Sequence, residues 1–169
     1  MKRGIFVVGF IFTVVVGTLL HFVYEWSGES PAAALISAVN ESTWEHLKLL
    51  FVPAVIYSAF EFFLRCKNIK NFWPAVTLGI LAAMLIITTL FYTYTGILGF
   101  NVDFINILIY FISIIVFIRT KNKIIREETF TKKNAVNISL TIIAVLALLF
   151  AYWSFNPPSL GIFTPPIIE

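Results

Sequence analysis

GIFVVGFIFTVVVGTLLHFVY, residues Gly4–Tyr24, runs for 21 residues without an Asp, Glu, Lys or Arg. As a helix rising about 1.5 Å per residue, it spans about 30 Å, the thickness of a bilayer's hydrocarbon core. Met1-Lys2-Arg3 precedes it and the small residues Ala32-Ala33-Ala34 follow, as in a signal peptide. The apolar run nevertheless exceeds the roughly 7–15 residues of a signal sequence, so it reads as a retained transmembrane helix.

Outward from this stretch, four more have the same character. They run from about Leu49 to Cys66, from Phe72 to about Thr95, from about residue 102 to Ile118, and from Ala135 to Phe155. Of the 169 residues, 59% are hydrophobic and 12% are charged. A soluble domain carries about 25% charge, so the solvent for most of this surface is lipid. The expected fold class is all-α: an integral membrane helical bundle of about five transmembrane helices, forming one domain over 1–169. No repeat relates the spans, so an inverted-repeat transporter is not indicated. One cysteine, Cys66, excludes an internal disulfide.

The charges orient the bundle. With the N-terminus inside, eleven of the 12 basic residues fall on inner segments, and only Lys48 lies outside. The outer segments carry Glu25, Glu29, Glu41, Glu45, Asp103 and Glu169. The positive-inside rule then places the protein in the cell (cytoplasmic) membrane with its C-terminus outside. The net charge of +3 is a product of this placement. It does not mark a nucleic-acid binder, and the expected partners are membrane lipids.

The outer loop 25–48 is the unusual part. Ser30-Pro31 reads as a helix start, with Ser as cap and Pro in the first turn, opening a short interfacial or re-entrant helix over 31–39. A second helix starts at about Glu41 and runs on into the second span, where Pro53 interrupts its ladder. His21 and Glu25 share a face at the outer end of the first helix. His21 lies about 27 Å along that helix from Arg3. The next helix opens with Asn40-Glu41-Ser42-Thr43-Trp44-Glu45-His46-Leu47-Lys48, so both histidines of the chain occupy one outer zone.

A functional reading, as a metal site or a proton or organic-ligand site, competes there with a structural one. His and carboxylates are ligands for zinc, manganese and iron, and helix bundles build such sites from inward Glu and His on neighbouring helices. On that reading the metal ligands are His21, Glu25 and His46. Glu41, Glu45 and His46 are the catalytic candidates, and Asn40, Trp44, Tyr94 and Asp103 are supporting ligand-binding positions. On the other reading Ser42 and Glu45 form a capping box, or Asn40 is the cap with Val39 packed on Trp44. Trp44 and Tyr94 then belong to the aromatic belt, and Asp103 is the N-cap of the fourth span. The HExxH spacing of zinc proteases is absent. Farther inward, Glu61 is expected to pair with Arg65 one turn on. The Pro-rich outer tail 156–169 is expected as an extended strap or as a lid over the mouth.

The stretch Val39–Lys48 resembles the signature, VNESxWEH, of an uncharacterised family of small bacterial multi-span membrane proteins. Tyr92-Thr93-Tyr94-Thr95-Gly96-Ile97 resembles its second marker, and the Pro-Pro tail its third. The resemblance implies a multi-span inner-membrane protein and carries no activity to transfer. Three functions stay open. The first is a metal-dependent hydrolase or transferase acting on lipid headgroups. The second is a small ion-coupled transporter. The third is a structural or partner-binding subunit with a capped outer helix. The histidines are expected to face each other across the first two helices.

Overall fold

The computed structural model describes residues 3–166. Met1, Lys2 and residues 167–169 lie outside the described residues, and with them the expectations placed on Lys2 and Glu169. Helix α1 covers Arg3–Trp26, the one-turn α2 Pro31–Ala34, and α3 Thr43–Glu61, which runs on as a π-helical turn over Phe62–Cys66. Helix α4 covers Phe72–Leu98, α5 Asp103–Arg126 and α6 Lys133–Phe155, and a 3₁₀ turn follows at Gly161–Phe163. Five of these helices are long and apolar enough to cross a membrane. Their outward sides carry large apolar residues such as Val8, Ile11, Leu85 and Leu148, which suits lipid as the surrounding solvent.

Helix α3 is the axis of the bundle. It packs on α1, α4 and α6, while α4 lies most closely along α5. The core is formed by Leu50 and Ala54 of α3, Phe72, Val76, Ile80 and Ala83 of α4, Ile114 and Phe117 of α5, and Phe150 of α6. Of the polar residues inside spans, Thr13 bonds the Gly9 carbonyl and Ser113 the Tyr110 carbonyl of their own helices. Thr77 instead reaches the Ser139 carbonyl and ties α4 to α6. Helix α4 ends on Gly99 at φ +79°, whose N–H bonds the Thr95 carbonyl. Glycine takes this left-handed position without a Cβ clash.

Two local expectations are corrected. The short helix stops at Ala34 rather than Val39. The Ala34 carbonyl, which the next turn would need, accepts a hydrogen bond from the buried Lys48 ammonium at 2.9 Å. The Val39 N–H donates to the Glu45 carboxylate at 3.0 Å. Both helical bonding groups are thus taken by side chains of α3. Pro31 does occupy the first turn, while Ser30 makes no side-chain cap.

The other correction concerns Glu61. It pairs with Lys121 of α5 at 2.5 Å, both side chains almost fully buried. The Lys121 ammonium also lies 5.4–5.8 Å from the ring centroids of Tyr57, Phe72 and Phe117. Arg65 is exposed. The i,i+4 rule assumes α-helical pitch, and the chain from Phe62 to Cys66 is wound as a π-helix. A π turn holds more residues per turn, which swings position 65 out of line with Glu61.

Candidate metal centre and cavity

The helix N-terminus at Ser42 sets the site. Its hydroxyl accepts the Glu45 N–H at 3.4 Å, one half of a capping box. The other half is replaced: the Ser42 N–H donates to Asn40 Oδ1 at 2.9 Å, which frees the Glu45 side chain for other partners. This fixes Asn40 as a turn-forming residue, and its carbonyl oxygen is engaged there. Helix geometry then sends Glu45 and His46 to different sides of α3.

Glu45 turns inward. Its carboxylate pairs with Lys48 at 2.5 Å and accepts from the Ser154 hydroxyl at 3.0 Å and the Val39 N–H. Lys48 donates to Ser154 Oγ at 2.7 Å as well. This closed network joins α3 to α2 and α6, and Glu45 is 2% exposed within it. Trp44 is buried beside it against Phe150 and Trp153 of α6 and Phe163 of the 3₁₀ turn, with ring centroids 4.6–5.0 Å away. Through Phe163 it anchors the Pro-rich tail. The Trp44 indole N–H has no hydrogen-bond partner among the described residues.

His46 turns the other way, toward α1. Its ring lies 5.1 Å from that of His21, edge to face at 82°. Glu41, in the turn before α3, completes the group. One carboxylate oxygen is 3.4 Å from His46 Nε2 and 3.8 Å from His21 Nε2. One donor atom from each residue falls within 4.8 Å of the others. A tetrahedral ion bound at about 2.1 Å separates its ligand atoms by roughly 3.4 Å. The two edges from Glu41 are therefore close to size. His46 is also oriented for this: its Nδ1 lies 3.0 Å from the Ser42 carbonyl. A carbonyl can only accept, so Nδ1 carries a proton, and Nε2 is the ring atom turned toward Glu41. His21, Glu41 and His46 can thus hold a metal. Glu25, expected as a ligand, is exposed and lies outside this trio; Glu41 stands in that place.

The trio lies in the upper wall of a cavity of about 520 Å³ between α1, α3, α4 and α5. Asn101, Asp103 and Asn106 supply polar groups on the α4–α5 side. Tyr94 does not reach the histidines. Its hydroxyl lies 2.7 Å from Asn101 Oδ1 and 2.6 Å from Asn106 Oδ1, and it accepts from the Val102 N–H. The phenol thereby holds the turn that delivers Asp103 to the cavity. Pro166 lines the cavity from the tail.

The cavity floor is a joint among three helices. Pro53 has no N–H, so the Leu49 carbonyl lacks its helical donor. The Tyr110 hydroxyl fills the gap, lying 3.1 Å from that oxygen and 2.9 Å from the Thr13 carbonyl. Gly17 makes room for it: a Cβ there would stand 1.9 Å from the Tyr110 oxygen and 2.4 Å from the Leu49 oxygen. Asn106, Tyr110, Gly17 and Ser154 are residues that sequence reasoning passed over. For Asn106 and Tyr110 a signal existed, since Asp103, Asn106 and Tyr110 follow i, i+3, i+7 on one face of the fourth span.

The family model of DUF6512, a family of unknown function, matches residues 2–168. No curated protein and no solved structure matches the chain.

Proposed function

We propose that this chain, which belongs to the DUF6512 family, holds a divalent metal ion on His21, Glu41 and His46 and uses it for hydrolysis or group transfer at a lipid headgroup. The observation that carries the reading is the convergence of three donors, from α1, the α3 entry turn and α3, on the wall of one cavity. Three protein ligands leave a coordination position open, the arrangement found in catalytic rather than structural zinc sites. A metal-bound water titrates near neutrality and so supplies hydroxide at ordinary pH. Held by His21, Glu41 and His46, such an ion would supply that hydroxide for attack on a headgroup phosphorus or carbonyl carbon, with an alcohol as the leaving group. The same donors suit zinc, manganese or iron(II). With the N-terminus in the cytoplasm, the site lies at the outer leaflet of the cell membrane.

A purely structural role accounts for Glu45, which Lys48 and Ser154 occupy, and would leave Glu41 as an ion-pair partner of two imidazoles at the rim of a cavity. A carrier needs polar groups through the middle of the bundle; the α3 segment from Leu49 to Val55 is apolar throughout, and the buried Glu61 farther along is already paired with Lys121.

The test is elemental analysis of the purified protein after separate loading with zinc, manganese and iron(II), wild type beside His46→Ala. We expect about one metal per wild-type chain and none in the variant, the stoichiometry of a single site. Absence of bound metal under all three loadings would overturn the reading.

A further inference from the structure

We infer that the ligand of this cavity is a single-chain zwitterionic phospholipid that enters sideways from the bilayer between α1 and α5. The inference rests on the metal-centre reading for what anchors the headgroup. Its own support is the shape and charge of the cavity below and beside the histidines.

The shape comes from the floor. Gly17 lies one turn below His21 on α1, and Tyr110 one turn below Asn106 on α5. The enclosed depth beneath the polar layer is thus about 6 Å, one helical turn. A lipid chain is longer than that and has to leave through a side. Thr18 and Phe22 of α1 and Ile107 of α5 line the cavity and are exposed, which makes the α1–α5 side the one on which it can open. Below them, Tyr110 bonds the Thr13 carbonyl and Phe10 meets Phe111, closing the same seam. A slot open above and sealed below admits a chain from lipid and holds it at one depth. A volume of about 520 Å³ lies in the range of sites that enclose one small ligand. It suits a headgroup with the start of one chain.

The charge comes from two carboxylates. Glu41 faces the imidazoles, and Asp103 lines the cavity from α5 with no salt-bridge partner among the described residues. A divalent ion balances both. A headgroup that keeps the site neutral carries one negative and one positive group. Its phosphate goes to the metal side and its ammonium toward Asp103.

The experiment uses the full chain in phosphatidylcholine nanodiscs with lysophosphatidylethanolamine bearing a diazirine on its acyl chain. After illumination, cross-linked peptides are located by mass spectrometry. We expect labelling concentrated on α1 near Thr18 and on α5 near Ile107. It should fall severalfold in Ile107→Trp, which fills the slot, and stay unchanged in Ile112→Trp, which adds the same bulk at an exposed position of α5 outside the cavity. The same probe built on lysophosphatidic acid, which lacks the ammonium, should label about fivefold less. That is the equivalent of one exposed ion pair, and Asp103→Asn should erase the difference. Labelling spread evenly over the lipid-facing helices, or indifferent to Ile107→Trp, would overturn the inference even if the metal is bound. Localised labelling in a protein that binds no metal would uphold the slot and sink the metal centre instead.

Discussion

Glu41 and Glu45 stand one helical turn apart in sequence, and the protein uses them in opposite ways. Glu45 is almost wholly buried, and its partners are all on the chain: Lys48, Ser154 and the Val39 N–H. Glu41 has a side chain 55% exposed, and it faces two imidazoles at 3.4 and 3.8 Å. The first cluster is complete, with donors matched to acceptors, as buried polar groups require. The second brings two imidazole nitrogens and a carboxylate oxygen together beside a cavity. A filled polar cluster holds a fold together; an under-filled one waits for something that the chain does not supply. A helix and the turn that leads into it can thus be assigned to stability and to binding from the partners of their side chains.

The contrast can be broken at several points, taken here in order of expected effect on stability. Glu45→Ala leaves the Lys48 ammonium buried without its carboxylate. We expect a loss of about 3–5 kcal/mol, typical of a broken buried pair, read as a collapse of the thermal transition in detergent and a poor yield of monodisperse protein. Gly17→Ala forces a methyl into the Tyr110 and Leu49 oxygens and should cost about 1–3 kcal/mol, the usual range for overpacking, in the same melt. Glu41→Gln should stay within about 0.5 kcal/mol of wild type, as surface substitutions do. Its effect belongs to another readout: metal affinity by titration calorimetry should fall at least about tenfold. Should Glu41→Gln unfold the protein while Glu45→Ala does not, the division between the two clusters is reversed.

The fold was legible because lipid imposes a strict rule. Each span needs about 20 apolar residues and all its backbone bonds satisfied internally, and stretches such as Gly4–Tyr24 and Ala135–Phe155 announce themselves. The shared zone of His21 and His46 was legible for a related reason, since depth in a membrane can be counted along a helix. Partners across helices were not legible. Lys48 meets Ser154 from 106 positions away, and Glu61 meets Lys121 from 60. A rule confined to one helix sees Glu25 beside His21 and Arg65 beside Glu61, and in both cases a residue distant in sequence or set by a turn takes the place. Trp44 reads as a belt residue from its position alone. The packing of Phe150 and Trp153 from α6 and of Phe163 from the tail shows it to be interior.

The joint beneath the cavity has a consequence for how this family varies. Pro53 removes a donor from α3, Tyr110 supplies one from α5, and Gly17 of α1 yields the space in which they meet. None of the three is explained without the other two. A relative with an ordinary residue at position 53 closes its own helical bond. It then has no use for the phenol, and its first helix is free to carry a side chain at position 17. When sequences of the family are aligned, these three columns should change as a unit, and their covariation would record a contact that no single column reveals.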